Sequence, residues 1–281
     1  MNPTHDNLVP TLIEYTLDDS NLEIGCPLDN GRHLIHPRKS LGQLDMLPPE
    51  LIAEILLSLD LPTLTTFRRV NCRAMCLVDS LPQYRLIFEQ CPNVLRAIIC
   101  VEAASFDCRT LFETLSTRKC GTCPRFGVYL YLITCKRVCH LCFDKYRSIP
   151  ITEAVLRLGM HKVDILRLPL PRMLNLRKRK TGGRMLYLDR KAVLDAVLDP
   201  TIKASFKRPR NLIVRTESLP NMTFISAPFL NSSERSTEWG FYCMKCSDCD
   251  ELAIYFRIKY RVGEVRRLEN EWSVKYTSVC K

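Results

Sequence analysis

Residues 47–70 read LPPELIAEILLSLDLPTLTTFRRV, and no other part of the chain restricts the architecture so strongly. Pro48 and Pro49 stand where a helix can begin, because N–H groups in the first turn have no helical partner and proline has none to lose. The apolar residues that follow recur at the spacing of one helical face. Asp60 precedes Pro62 and can cap a second helix. The stretch therefore predicts two short helices in succession.

The residues after this stretch continue the helical pattern. Asn71 can cap a third helix, which Pro82 would end before the aromatic residue Tyr84. Helices this short are marginal on their own. They become stable when their apolar faces pack on one another and on a partner. We therefore expect a small helical unit over residues 41–91.

This unit resembles the F-box family. The family pattern opens with Leu-Pro-x-Glu-Leu, continues with Ile-Leu-x-x-Leu and a Leu-x-x-Leu hinge, and then has Arg-x-Val before a third helix. Where the family commonly has Trp after that helix, the nearest aromatic here is Tyr84. The matching residues are Leu47, Pro48, Glu50, Leu51, Ile55, Leu56, Leu59, Leu61, Leu64, Arg69, Val70 and Arg73.

The resemblance implies a fold of three packed helices and a partner. F-box proteins dock onto the adaptor subunit of an SCF-type cullin–RING ubiquitin ligase, and through it onto the cullin. The residues that the resemblance implies for adaptor binding are Leu47, Pro48, Leu51, Ile55, Leu56, Leu59, Leu64 and Val70.

A cysteine cluster follows the helical region. Cys120-x2-Cys123 and Cys139-x2-Cys142 enclose a β-like run, and this spacing is typical of a structural zinc site with four thiolates. Buried free cysteines and redox thiols are the alternatives. Cys135 or His140 could replace one ligand, so the fourth position stays open. The segment is too short to fold without such a metal.

A second cysteine group lies near the carboxyl end. Cys243, Cys246, Cys249 and Cys280 could hold another zinc ion, or they could be unligated thiols in a small core. The segments 120–142, 227–230 and 237–241 are similar to a group of fungal F-box proteins. In those relatives a downstream His and Cys usually complete the final knuckle, whereas no histidine follows His161 here.

Together these patterns predict a modular, mostly α-helical protein with an α+β carboxyl-terminal region. The predicted parts are a flexible arm (1–40), the F-box (41–91), a linker helix (92–117), a cysteine-rich zinc module (118–149), a basic α+β or linker region (150–238) and a second cysteine-rich module (239–281).

Composition narrows the function. Fifteen cysteines without an export signal indicate a reducing compartment, the cytoplasm or nucleus, and no apolar run is long enough to span a membrane. We find no phosphate-binding glycine loop, nucleophile elbow or paired carboxylates, so we predict a non-catalytic receptor for an unknown protein substrate. The net charge of +11 favours acidic partners. The alternative is a nuclear zinc-binding protein that contacts nucleic acid through basic regions, although we do not expect nucleic acid to be the partner.

Overall fold

The computed structural model describes residues 16–17, 22–28, 41–178, 183–198, 223–239 and 259–260. Helices fill most of the chain up to residue 115, and small antiparallel sheets with further helices follow. The predicted fold class, a helical F-box region with a four-cysteine cluster and an α+β region behind it, is confirmed. No helix in the described ranges is both long and apolar enough to cross a bilayer.

The helices are short, and most of those before residue 101 begin at or beside a proline. Their bounds are α1 Leu22–Gly25, α2 Pro49–Leu57, α3 Leu61–Arg68, α4 Cys72–Ser80, α5 Pro82–Gln90, α6 Pro92–Cys100, α7 Cys108–Leu115, α8 Ile151–Leu158, α9 Lys162–Arg167 and α10 Arg190–Leu198, with 3-10 turns at Gly42–Met46 and His140–Lys145.

Side-chain caps fix several helix starts. Asp60 accepts a hydrogen bond from the Thr63 N–H and caps α3, and Asn71 caps α4, as predicted. Asp107 caps α7 in the same way. Residues 92–117 therefore form two helices, α6 and α7, joined by a loop in which Glu102 has a left-handed φ of 52°.

The strands form three antiparallel sheets with the orders β2-β1-β6, β3-β5-β4 and β7-β8-β9. The first sheet joins the hairpin between the cysteine pairs to β6, which lies far downstream in the chain. The strand bounds are β1 Tyr129–Tyr131, β2 Lys136–Val138, β3 Ser148–Pro150, β4 Arg172–Lys178, β5 Arg184–Asp189, β6 Phe224–Ser226, β7 Phe229–Asn231, β8 Ser236–Glu238 and β9 Lys259–Tyr260.

Two hydrophobic cores hold these elements. The larger core is continuous from α2–α7 into the β1–β2 hairpin and β6, so the cysteine-rich segment packs with the helices. The smaller core lies in an α+β unit, which we define as β3, β4, β5 and α8–α10. Its buried members are Ile149, Ile151, Ala154, Leu158, Ile165, Leu188 and Val193.

Two described segments of the predicted flexible arm (1–40), residues 16–17 and 22–28, pack in the larger core. Leu17, Leu22 and Leu28 are buried, and the Leu17 N–H donates to the Phe224 carbonyl at 2.8 Å. These leucines have no regular spacing in the sequence, so no periodic pattern predicts that they are buried.

Candidate docking face and metal centre

Helix α2 has apolar side chains on two sides. Ile52, Leu56 and Leu57 are buried in the core, whereas Leu51 and Ile55, one turn apart, are 52% and 46% exposed. A short helix that exposes part of a second apolar face to water has surface available for a partner. Met46 (83% exposed) and Val70 (65% exposed) add apolar surface before and after the first two F-box helices.

The structure divides the residues predicted to bind the adaptor. Pro48, Leu51, Ile55 and Val70 are exposed, and Leu47 and Leu59 are half-buried. Leu56 and Leu64 are buried in the chain's own core, so their side chains do not face solvent. The sequence pattern could not separate these groups, because a helix with two apolar faces shows the same residue types on both.

An internal ion pair connects the F-box helices. The Arg68 guanidinium donates to both carboxylate oxygens of Asp79, at 2.7 and 2.9 Å, and lies 5.5 Å from the centre of the Phe88 ring. Tyr84, one turn before Phe88 on α5, is fully buried, and burial raises its pKa to about 12. Tyr84 therefore supplies the buried aromatic after the third F-box helix. The family pattern in the sequence includes Arg69 and Arg73, but it does not indicate the structural role of Arg68.

The four predicted cysteines meet in space. The sulfur atoms of Cys120, Cys123, Cys139 and Cys142 all lie within 4.8 Å of one another. Cys123 Sγ is 3.5 Å from Cys139 Sγ and 3.7 Å from Cys142 Sγ. Tetrahedral Zn²⁺ with bonds of about 2.3 Å to sulfur separates its ligands by about 3.8 Å. The sulfur positions therefore fit a tetrahedral metal.

Local backbone structure sets these positions. Cys120 and Cys123 flank a tight turn, in which the Thr122 N–H points to Cys120 Sγ at 3.5 Å. Hairpin β1–β2, with Tyr131 opposite Lys136, then returns the chain so that Cys139 and Cys142 face the first pair. Four thiolates would complete the coordination of a zinc ion and leave no position for a substrate, which is typical of a structural site.

The electrostatics of the cluster favour a cation. Burial raises the pKa of the Cys120 thiol, but the backbone N–H groups of Thr122, Cys139 and Cys123 outweigh it and bring the pKa down to about 7. Burial raises the pKa of Cys139 and Cys142. Several thiolates this close repel one another, and a divalent metal removes that cost.

Cys135 is separate from this cluster. Its side chain is buried, burial raises its pKa to about 12, and its backbone carbonyl accepts a hydrogen bond from the Thr114 hydroxyl. Cys135, the alternative ligand, lies in the turn between β1 and β2 and is not among the four sulfurs that meet. The four sulfurs also make up the set without His140. Cys243, Cys246, Cys249 and Cys280 lie outside the described residues.

Arg137 is a buried residue that sequence reasoning missed. Only 2% of it is exposed, and within the described ranges its hydrogen-bond partners are all backbone carbonyls. Its five N–H donors reach five carbonyl oxygens on three segments. These belong to Thr114 and Leu115 at the end of α7, to Gly127, and to Ala227 and Pro228. Arg137 thus ties the hairpin beside the metal site to α7 and to the loop after β6.

Comparison with known proteins agrees with this architecture. The model of the F-box domain family matches residues 44–86, which span α2–α4 and the start of α5. The chain therefore contains an F-box domain, and F-box domains bind the adaptor subunit of SCF-type ubiquitin ligases. Comparison with curated proteins finds no match, and comparison with solved structures finds none either.

Proposed function

We propose that this chain is a non-catalytic substrate-receptor subunit of an SCF-type ubiquitin ligase, bound to the adaptor through its F-box and linked through the adaptor to the cullin. The observation that carries this proposal is the exposed apolar surface on the F-box helices. Leu51 and Ile55 face solvent from a helix whose other side is already packed.

The docking face would use the predicted residues in two ways. Pro48, Leu51, Ile55 and Val70 would contact the adaptor directly, with Leu47 and Leu59 at the border. Leu56 and Leu64 would contribute indirectly, because their burial in the core holds α2 and α3 in place. Docking would then be sensitive to both groups, but only changes in the exposed group would leave the fold intact.

The proposed role of the cysteine cluster is to hold a structural zinc ion with Cys120, Cys123, Cys139 and Cys142. Its support is the set of sulfur separations, which match a tetrahedral site. The ion would stabilise the hairpin on which Arg137 and the β6 pairing depend.

The receptor would work by proximity. Holding a protein substrate near the loaded conjugating enzyme raises the effective concentration of the reacting groups, and this chain needs no catalytic residues for it. The expected site of action is the cytoplasm or nucleus, where the thiols stay reduced.

A binding experiment with two variants tests this proposal. In Leu51→Glu/Ile55→Glu, two half-exposed side chains lose about 1 kcal/mol each of apolar burial, and two carboxylates would be desolvated in the complex. We expect the affinity for the adaptor to fall by about 100-fold or more. The matched control is Leu156→Glu, which changes a similarly exposed leucine on α8. Equal binding by the double variant and the control would contradict the proposed docking face.

A further inference from the structure

The α+β unit contacts the loop that joins α6 to α7. Residues 101–105 follow α6, and two backbone groups of β4 donate hydrogen bonds to them. The Leu174 N–H donates to the Val101 carbonyl at 2.7 Å, and the Arg172 N–H donates to Ser105 Oγ at 3.0 Å. β5 pairs with β4 on the other side. The loop therefore covers an edge that would otherwise present unpaired backbone groups.

Arg184, the first residue of β5, lies at the centre of this contact. Its Nη1 donates to Glu102 Oε1 at 2.9 Å, its Nε donates to the Asn175 carbonyl at 2.8 Å, and its Nη2 donates to the Cys100 carbonyl. Cys100 is the last residue of α6, where the helix dipole favours a positive charge. One guanidinium thus connects the end of α6, the following loop and β4.

The loop itself is held in an unfavourable backbone conformation. Glu102 has a φ of 52°, which costs energy for a residue other than glycine and persists only where the surroundings fix it. Its carboxylate pairs with Arg184, and its neighbour Val101 binds β4. The contact with the α+β unit therefore accounts for the shape of this loop.

A second contact lies on the metal-site hairpin. The Tyr131 hydroxyl reaches Asp189 Oδ1 at 3.0 Å and the Arg147 carbonyl at 3.2 Å. The other oxygen of Asp189 accepts from the Ala192 N–H and caps α10. Met173 of β4 and Tyr187 of β5 are also buried in the larger core, so apolar packing holds the unit on the helices. The directional contacts of Arg184 and Tyr131 then set its orientation there.

We propose that Arg184 is a positioning residue, which holds the α+β unit in one orientation on the helices that carry the F-box. This inference rests on the proposed function. A receptor that presents its substrate at a fixed place keeps the effective concentration high, and a receptor whose α+β unit shifts on the helices spreads its substrate over a larger volume.

The test compares three variants of the full chain. Arg184→Ala removes the whole contact, and Arg184→Lys keeps the charge near Glu102 but cannot reach both carbonyls. The control is Arg157→Ala, because Arg157 is similarly exposed (26%, against 22% for Arg184) and pairs with Glu153 inside α8. Each variant is measured for adaptor binding and for exchange of individual amide hydrogens.

We expect the protection of the Leu174 and Arg172 amides to fall by about tenfold or more in Arg184→Ala, to fall less in Arg184→Lys, and to stay unchanged in Arg157→Ala. The Ala192 amide, which is bonded within the α+β unit, should keep its protection in all three. Equal loss at Ala192 and Leu174 would show that Arg184 stabilises the unit as a whole, and it would overturn the positioning role.

A distance measurement reads the orientation directly. Genetically encoded spin labels at Glu89 on α5 and Asp195 on α10, both exposed, report the separation between the two parts of the chain. We expect a narrow distribution in the unsubstituted chain and a broad one in Arg184→Ala. An unchanged distribution would contradict the inference. Adaptor binding should be equal in all variants, and failure of the unsubstituted chain to bind the adaptor would refute the proposed function while leaving the distance result valid.

Discussion

The buried guanidinium of Arg137 allows the sharpest prediction of stability. In Arg137→Met the side chain keeps much of its length but loses every donor, which leaves five carbonyl oxygens on three segments without that partner. A buried acceptor left unsatisfied costs about 1–3 kcal/mol. Even with partial access of water, the sum is on the order of 5 kcal/mol. That loss is comparable with the roughly 5–15 kcal/mol that stabilises a typical domain.

The variant Arg137→Lys keeps the positive charge, so it distinguishes the effect of the hydrogen-bond donors from the effect of the charge. Arg137→Lys supplies three N–H donors from one nitrogen, which cannot reach carbonyls distributed around a planar guanidinium. We expect it to lose at least about 2 kcal/mol, less than Arg137→Met. The assay is urea denaturation followed by far-ultraviolet circular dichroism, at the same zinc loading for each variant. If Arg137→Met unfolds within about 1 kcal/mol of the unsubstituted chain, the structural role assigned to Arg137 is wrong.

Three further predictions concern the stability of the fold and the candidate metal site. Gly127→Ala should lower the melting temperature, because the added Cβ would lie 2.7 Å from the Arg137 Cβ, whereas Gly183→Ala, with nothing within 4 Å, should leave it unchanged. Asp60→Ala should cost about 1 kcal/mol by removing the cap of α3, and an unchanged unfolding midpoint would contradict this role. Cys139→Ser or a strong chelator should raise proteolysis of residues 118–145, because zinc binding is worth about 10–16 kcal/mol in small peptides. The loss should also destabilise α7, because the hairpin and α7 share the larger core. If the chain is equally protected from proteolysis with and without chelator, a structural metal is excluded. Zinc analysis of the full chain should give one ion per chain if only the described cluster binds zinc, and two if the carboxyl-terminal cysteines also bind it.

The features that could be predicted from the sequence are those with local signals. Prolines and capping residues mark the F-box helices, and their effect depends on neighbours a few positions away. The two Cys-x2-Cys pairs likewise indicate a candidate metal site, because each pair forms its own turn and only the hairpin between them must close. These signals were sufficient for the order of the parts and for the candidate ligands.

The features that were missed depend on distant backbone groups. Arg137 binds a carbonyl 91 residues away, and Arg184 binds one 84 residues away. A carbonyl oxygen is the same in every residue, so no residue type reveals it as a partner. The pairing of β6 with β1 involves only three residues on each side and has no recognisable spacing either. Burial of Leu56 against exposure of Leu51 likewise depends on how the helices pack.

Titration calorimetry of the full chain with the purified SCF adaptor tests the central claim most directly. We expect one adaptor to bind per chain, with a negative heat-capacity change because the exposed apolar side chains of α2 and its neighbours become buried. Leu51→Glu/Ile55→Glu should abolish this signal, and Leu156→Glu should retain it. Absence of binding by a folded, zinc-loaded chain at micromolar concentrations would contradict the assignment of this protein as a ligase receptor.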